Sequence, residues 1–341
     1  MKRKITTIVS VLLGLLVIAG IVYYIGFEDI VGLILRLGWA GFASLVLTVS
    51  LTFVFWGASW IVILRADGVN APVWSCLAAR LSSFAVSYLT PSMHFGGEPV
   101  RALLIDKETD SSYTKVFATI ATERITTALA LACFVLLGAY EGIANQLPTQ
   151  TLSYLILLSA VFGGLLVLLV INFTGGHFFF SRIARRAVKA FPAGHRFVQK
   201  TEEVVNNLEN DISRAFQEHR RSTVYAFLLN MVAILFMYLR PQVFFYFSKG
   251  KLFPPSELAI IFALTILLSS FLWITPGGLG ISEGGLIGIF ALVGVKGSDA
   301  LAYSFSVKMI ELFLVGFGLA WMGHYGILNL IFDRESNEQD T

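Results

Sequence analysis

Apolar residues run along this chain in long blocks separated by short polar stretches. The blocks at 5–25, 39–64, 115–140, 150–173, 222–247 and 300–330 are each long enough to cross the hydrocarbon layer as a helix, which is about 30 Å thick. They predict six full spans. Two further apolar stretches, 74–105 and 257–295, are interrupted near their middles. The first carries Ser75, Arg80, Ser82, Ser83 and Ser87, then Thr90-Pro91-Ser92-Met93-His94-Phe95-Gly96-Gly97-Glu98. The second carries Thr275-Pro276-Gly277-Gly278-Leu279-Gly280-Ile281-Ser282-Glu283. Proline, glycine and carboxylate disrupt a helix or demand a partner inside a bilayer. Each stretch therefore reads as two half-helices meeting at a broken turn, a re-entrant hairpin that enters and leaves on one side. An ordinary kinked span is the alternative.

The breaks recur. Pro91 to Pro276 and Glu98 to Glu283 are both separations of 185 positions. The same offset carries 39–64 onto 224–249 and 115–140 onto 300–325, both within or against predicted spans. A unit of span, span, hairpin, span crosses the membrane an odd number of times, so its second copy is expected to be inverted. The predicted fold is an all-α polytopic membrane protein of two inverted repeats, with six full spans plus two re-entrant hairpins. The expected organisation is a first membrane repeat over 1–140, with its hairpin at 74–105, then a connecting loop and the second repeat's first span over 141–173. A cytosolic, basic, amphipathic linker follows over 174–221, then the rest of the second repeat over 222–330 with its hairpin at 257–295, and a disordered acidic tail over 331–341.

Composition agrees with this class: 56% of residues are hydrophobic and 14% charged, and the mean hydropathy is +0.75. Lys2-Arg3-Lys4 before the first block reads as the cytosolic flank of a retained span rather than of a signal peptide. The loop 182–221 is rich in Arg and Lys, whereas 26–38, 141–149 and 248–256 carry few, which predicts cytoplasmic N- and C-termini in a multi-pass cell-membrane protein. Within 174–221, basic and apolar residues alternate in helical fashion, as in a helix lying on the membrane surface; a plain solvated connector is the other reading. The sequon Asn172-Phe173-Thr174 falls at a predicted cytosolic edge and is discounted. Cys76 and Cys133 lie in or near apolar segments, against a disulfide or zinc site. The net charge of +3 comes from residues near membrane boundaries and does not point to nucleic acid.

Candidate chemistry lies with the intramembrane charges, since each costs roughly 2.5–3.5 kcal/mol at a helix centre. They are Arg80, Glu98, Arg101, Glu123, Arg124, Arg240, Glu283, Lys308 and Glu311. The offset carries Glu123 onto Lys308, and Lys308 and Glu311 share one helix face. One reading has these charges neutralising each other to hold the hairpins; the other has them lining a cavity for a charged substrate group. Pro99 suits a first helical turn, and Ser282 is a good N-cap for the second half-helix. Such N-termini offer amides to an anion, and Gly277, Gly278 and Gly280 allow close backbone approach. Thr90, Pro91, Gly96, Gly97, Thr275 and Ser282 are assigned to the hairpin turns. His94 is ambiguous. The sequence contains no Walker loop, paired metal-ligand histidines or nucleophile elbow, so no catalytic residue, metal or cofactor is assigned.

At these residues the chain resembles a known family. Thr275-Pro276 through Glu283, Gly96-Gly97-Glu98-Pro99-Val100-Arg101 and Glu123-Arg124 are similar to the lysylphosphatidylglycerol synthase transmembrane region, also called flippase-like domain proteins. The resemblance covers about 5–330, and Pro-Gly-Gly-x-Gly-x-x-Glu is its most specific part. In bacterial synthases of that family, this region is credited with moving an aminoacylated lipid between leaflets, while a separate soluble domain makes the lipid. Relatives are linked to polyprenyl-phosphate-sugar, glycolipid or hopanoid pathways. The chain has no room for the soluble domain, which argues against synthase activity. The resemblance implies a flippase-like transporter whose partners are anionic or phosphate-bearing membrane lipids. Substrate-binding residues would be Glu98, Arg101, Glu123, Arg124, Pro276, Gly277, Gly278, Gly280, Glu283, Lys308 and Glu311. A homo-oligomer and a lipid-synthesis enzyme partner stay open. So do two other functions: a membrane-embedded lipid-modifying enzyme or its subunit, and a small-ion or solute transporter.

Overall fold

The computed structural model of the chain describes residues 27–90, 96–109, 111–145, 147–176, 179, 181–182, 195–272 and 275–324. The expected span 5–25, Pro91 and His94, the stretch 183–194 and the acidic tail lie outside these residues. Regular structure among the described residues is helical. The helices are α1 (Phe27–Ala66), α2 (Val73–Leu89), α3 (Glu98–Glu108), α4 (Tyr113–Ala144), α5 (Thr149–Gly175), α6 (His195–Gln217), α7 (Arg220–Lys249), α8 (Pro255–Leu272), α9 (Ile281–Ala291) and α10 (Gly297–His324). Five of them, α1, α4, α5, α7 and α10, are long and apolar enough to cross a membrane. These coincide with five of the predicted spans. Gly38 breaks α1 with φ 63° and ψ 177°, a conformation glycine tolerates, one residue before the predicted span begins.

The two interrupted stretches form helix pairs with identifiable stops. α2 has 17 residues, a rise of about 25 Å, and α3 has 11, a rise of about 16 Å. Thr90 ends α2 in an extended conformation (φ −100°, ψ 138°), as the proline that follows it demands. Its hydroxyl donates to the Val86 carbonyl at 2.8 Å. Gly97 turns the chain into α3, and its N–H donates to the Ser87 hydroxyl at 2.9 Å. A Cβ on Gly97 would fall 1.8 Å from the Ser83 carbonyl oxygen, so only glycine fits there. In the second pair, Pro276–Gly278 make one 3₁₀ turn. Gly277, Gly278 and Gly280 then take φ of 61°, 64° and 82°, a run that L side chains avoid.

The outer ends of each pair lie together. Ser75 near the start of α2 donates to Glu108 at the end of α3 at 2.8 Å, and Lys251 before α8 reaches the Val293 carbonyl after α9 at 3.4 Å. α1 and α7 form the most extensive helix contact, and they run antiparallel. Gly41 packs against Phe247 at one end, and Asp67 faces His219 at 3.7 Å at the other. The α2–α3 pair opens beside the Asp67 end, whereas the α8–α9 pair opens beside the Lys249 end, where Lys249 pairs with Asp299.

Small residues let the remaining helices close up. A Cβ on Gly138 of α4 would meet the Ala259 carbonyl of α8 at 2.4 Å, and one on Gly318 of α10 would meet the Leu81 carbonyl of α2 at 2.4 Å. Ser82 adds a hydrogen bond to the Gly318 carbonyl at 3.0 Å. A cage of Phe244, Phe245, Phe253, Phe290 and Tyr303 fills the space between α7, α9 and α10. α5 is the least enclosed span, with Tyr154, Leu157, Leu165 and Leu168 outward, as lipid contact requires.

α6 is amphipathic and packs Ile212 and Phe216 beneath α5, where the Phe173 and Phe216 rings stack. The described part of this region, from His195, is a helix docked on α4 and α5. The basic and apolar residues of 183–194, on which the two readings of the linker rest, lie outside the described residues. Asn172 of the sequon is buried; it donates to Glu209 at 2.9 Å and accepts from the Phe179 N–H at 2.9 Å. Its amide therefore ties α5 to α6.

Candidate functional site at the two helix breaks

The first break is surrounded by five charges from three helices. α3 begins at Glu98 with Pro99 in its first turn, as the sequence predicts. That start points Glu98 at Arg124 of α4, and the two form an ion pair. One turn along α3, Arg101 donates to Glu123 Oε2 at 3.0 Å. Arg80 of α2 reaches the same oxygen at 2.9 Å. The other oxygen, Oε1, accepts from the Thr127 hydroxyl at 2.9 Å. The Arg101 guanidinium also lies 3.5 Å from the centre of the Trp60 ring, a close cation–π contact. Trp60 is itself held by a hydrogen bond from its indole N–H to Thr119 at 3.0 Å. Arg80 sits 5.2 Å from the Trp56 ring in the same way. Arg80, Arg101 and Glu123 are buried, whereas the Arg124 side chain is 30% exposed. Arg124 is therefore the most exposed member of the cluster.

The second break is built differently. Gly280 rather than Ser282 is the N-cap of α9, so the helix starts two residues earlier than the sequence suggests, directly after the last left-handed glycine. Glu283, at the third helical position, folds back and accepts the Gly280 N–H at 2.7 Å. The end of the helix that the sequence offered to an anion is thus met by the protein's own carboxylate. Lys308 of α10 pairs with Glu283 and donates to the Ser282 hydroxyl at 2.8 Å. Ser282 in turn donates to the Gly278 carbonyl at 2.8 Å, and Thr275 closes the loop onto the Leu279 carbonyl at 2.9 Å. Glu311 lies on the same face as Lys308 but takes a separate partner, Arg240 of α7, at 3.6 Å.

The two breaks meet. The Tyr88 ring, at the end of α2, packs against Gly277 of the second loop, where a Cβ would fall 2.7 Å from Tyr88 Cε1. Of the predicted site residues, Glu98, Arg101, Glu123 and Arg124 form one cluster, while Gly277, Gly278, Gly280, Ser282, Glu283 and Lys308 form the other. Gly96 and Gly97 make the turn into α3, Pro276 opens the 3₁₀ turn, and Glu311 stands beside the second cluster. Arg80 and Arg240, named in the sequence among the intramembrane charges, complete these arrangements together with Trp60, Thr127 and Tyr88, which the sequence did not single out. Thr127 was findable, since it lies four residues after Glu123 on one helix face. Trp60 and Tyr88 carry no local signal.

Comparison with known proteins fits this architecture. The family described as "Lysylphosphatidylglycerol synthase TM region" matches residues 11–318. A UPF0104 membrane protein of Pyrococcus horikoshii is 23% identical over 333 residues, covering 92% of this chain and 94% of the relative. One from Methanothermobacter thermautotrophicus is 25% identical over 281 residues, covering 78% and 80%. One from Methanocaldococcus jannaschii is 24% identical over 323 residues, covering 92% and 93%. No solved structure gives a significant match. With its broken helix pairs and its match along nearly the whole chain, the protein belongs to the lysylphosphatidylglycerol synthase TM-region family.

Proposed function

We propose that this protein is a stand-alone lipid transporter that moves a polar head group between leaflets while the acyl chains stay in the bilayer. Two inverted units with re-entrant hairpins form the transporter, and the head group passes between them. The observation that carries this reading is the pair of charged clusters deep among apolar helices, one at each break, with the breaks touching through Tyr88 and Gly277. Intramembrane charges cost too much to be kept at both breaks for helix geometry alone.

Support for inversion comes from the packing. Exchanging α1 with α7, α2 with α8 and α4 with α10 maps the α2–α10 contact onto α8–α4 and the α1–α10 contact onto α7–α4. The helix pairs also open at opposite ends of the α1–α7 pair. Arg124 would meet the head-group phosphate, and Lys308 and the glutamates would hold the moving loops.

The test is lipid movement in liposomes. Reconstituted protein should expose a fluorescent short-chain phospholipid of the inner leaflet to an external quencher. Arg124→Ala and Glu283→Gln should abolish that movement while still purifying as folded protein. Normal transport by both variants would refute the site, and no movement by the native protein with any phosphate-bearing lipid would refute the function.

A further inference from the structure

The two clusters differ in charge. At the second break Glu283 is matched by Lys308, and Glu311 by Arg240, so that set is neutral. At the first break three arginines, Arg80, Arg101 and Arg124, face two carboxylates, Glu98 and Glu123. Among the described residues no further acid joins them; the next along α3 are Asp106, which is partly exposed, and Glu108, which is exposed and bonded to Ser75. One positive charge is therefore left over in the interior of a membrane protein. Both Arg80 and Arg101 lean on a single oxygen of Glu123, and the buried Nε and one terminal nitrogen of Arg101 make no hydrogen bond. A buried charge with half a partner is expensive unless an opposite charge joins it.

We propose that Arg80 supplies this surplus charge and thereby sets a preference for a head group of net negative charge, which docks at the accessible Arg124. The inference rests on the transport reading above and refines it. Arg101 is the structural cation: it is fully buried, stacked on Trp60 and hydrogen-bonded to Glu123. Arg80 is the removable one. Without it, Arg101–Glu123 and Arg124–Glu98 would remain as two matched pairs, and no carboxylate would be orphaned. Arg80 acts through the field of the cluster rather than by touching the lipid, so it is a positioning and selectivity residue.

The experiment compares native protein, Arg80→Gln, Arg80→Lys and Arg101→Gln in an uncharged detergent. Thermal midpoints are followed as dioctanoyl phosphatidylglycerol, dioctanoyl phosphatidylcholine or inorganic phosphate is titrated in. The native protein should bind the anionic lipid about tenfold more tightly than the zwitterionic one, and Arg80→Gln should narrow this to within about twofold. Without lipid, Arg80→Gln should melt no lower than native protein, while Arg101→Gln melts lower. Arg80→Lys should keep the preference. The proposal is overturned if native protein shows no preference, or if Arg80→Gln is as destabilised as Arg101→Gln. It also falls if Arg80→Gln cannot be purified folded while Arg80→Lys can, because the charge is then a folding requirement. Equal stabilisation by inorganic phosphate assigns the site to a soluble anion and overturns the head-group preference. Lipid movement in liposomes without charge preference sinks this inference alone, whereas no movement at all sinks the transport reading beneath it.

Discussion

Tyr88 and Gly277 belong to different broken helix pairs, yet the tyrosine ring occupies the space that a side chain on Gly277 would need, 2.7 Å from its Cβ position. The glycine also holds φ at 61°. The two breaks are thereby in direct contact.

Gly277→Ala should therefore lower stability by roughly 1–3 kcal/mol, combining left-handed strain with the clash. Thermal unfolding in detergent checks this. The comparison is Gly288→Ala on α9, where nothing lies within 4 Å and φ is helical. That change should be neutral or stabilise by about 0.5–1 kcal/mol. Equal effects at the two positions would mean that the Tyr88 contact is not formed.

Glu123 is shared by two buried arginines and Thr127. Glu123→Gln leaves both cations without a carboxylate and should cost about 3–5 kcal/mol, the scale of breaking a buried ion pair from one side. Glu98→Gln should cost less, because its partner Arg124 is partly exposed and can be solvated. Loss of folded yield for the first and retained yield but lost lipid movement for the second would separate structural from functional charge.

The cysteines report the packing of α2 and α4. Cys76 is buried and Cys133 exposed. A small uncharged thiol reagent should modify Cys133 in folded protein and Cys76 only after denaturation, with mass spectrometry of the intact chain as the readout. Modification of Cys76 first would contradict the packing of α2 against α1 and α3.

Asp67, just after α1, faces His219. Burial pushes its carboxyl above the ordinary value of 3.8, with His219 opposing. The folded state then binds its proton more tightly than the unfolded one does. Its stabilising contribution is complete below 3.8 and is lost as pH rises through the folded value. Asp67→Asn should flatten the melting-point profile in that acid range; an unchanged slope would show that Asp67 is solvated.

What the sequence by itself determined is local. Apolar length marked five described spans, since crossing hydrocarbon sets a minimum run whatever the neighbours do. Thr90-Pro91 and the glycines of 277–280 marked the breaks, because ring and backbone sterics act within a few residues. The recurrence at 185 positions also marked which charges belong with which break. Tertiary structure decided which charge meets which. Lys308 and Glu311 share a face, yet one is drawn to Glu283 of α9 and the other to Arg240 of α7. Glu283 also took the helix end assigned to Ser282, since a carboxylate three residues in can fold back once Gly280 turns left-handed. Arg80 joined Glu123, and Trp60 came to lie against Arg101, only because α1, α2, α3 and α4 converge there. A buried charge pairs with whatever opposite charge packing brings within a few ångströms, and distance along the chain does not encode that.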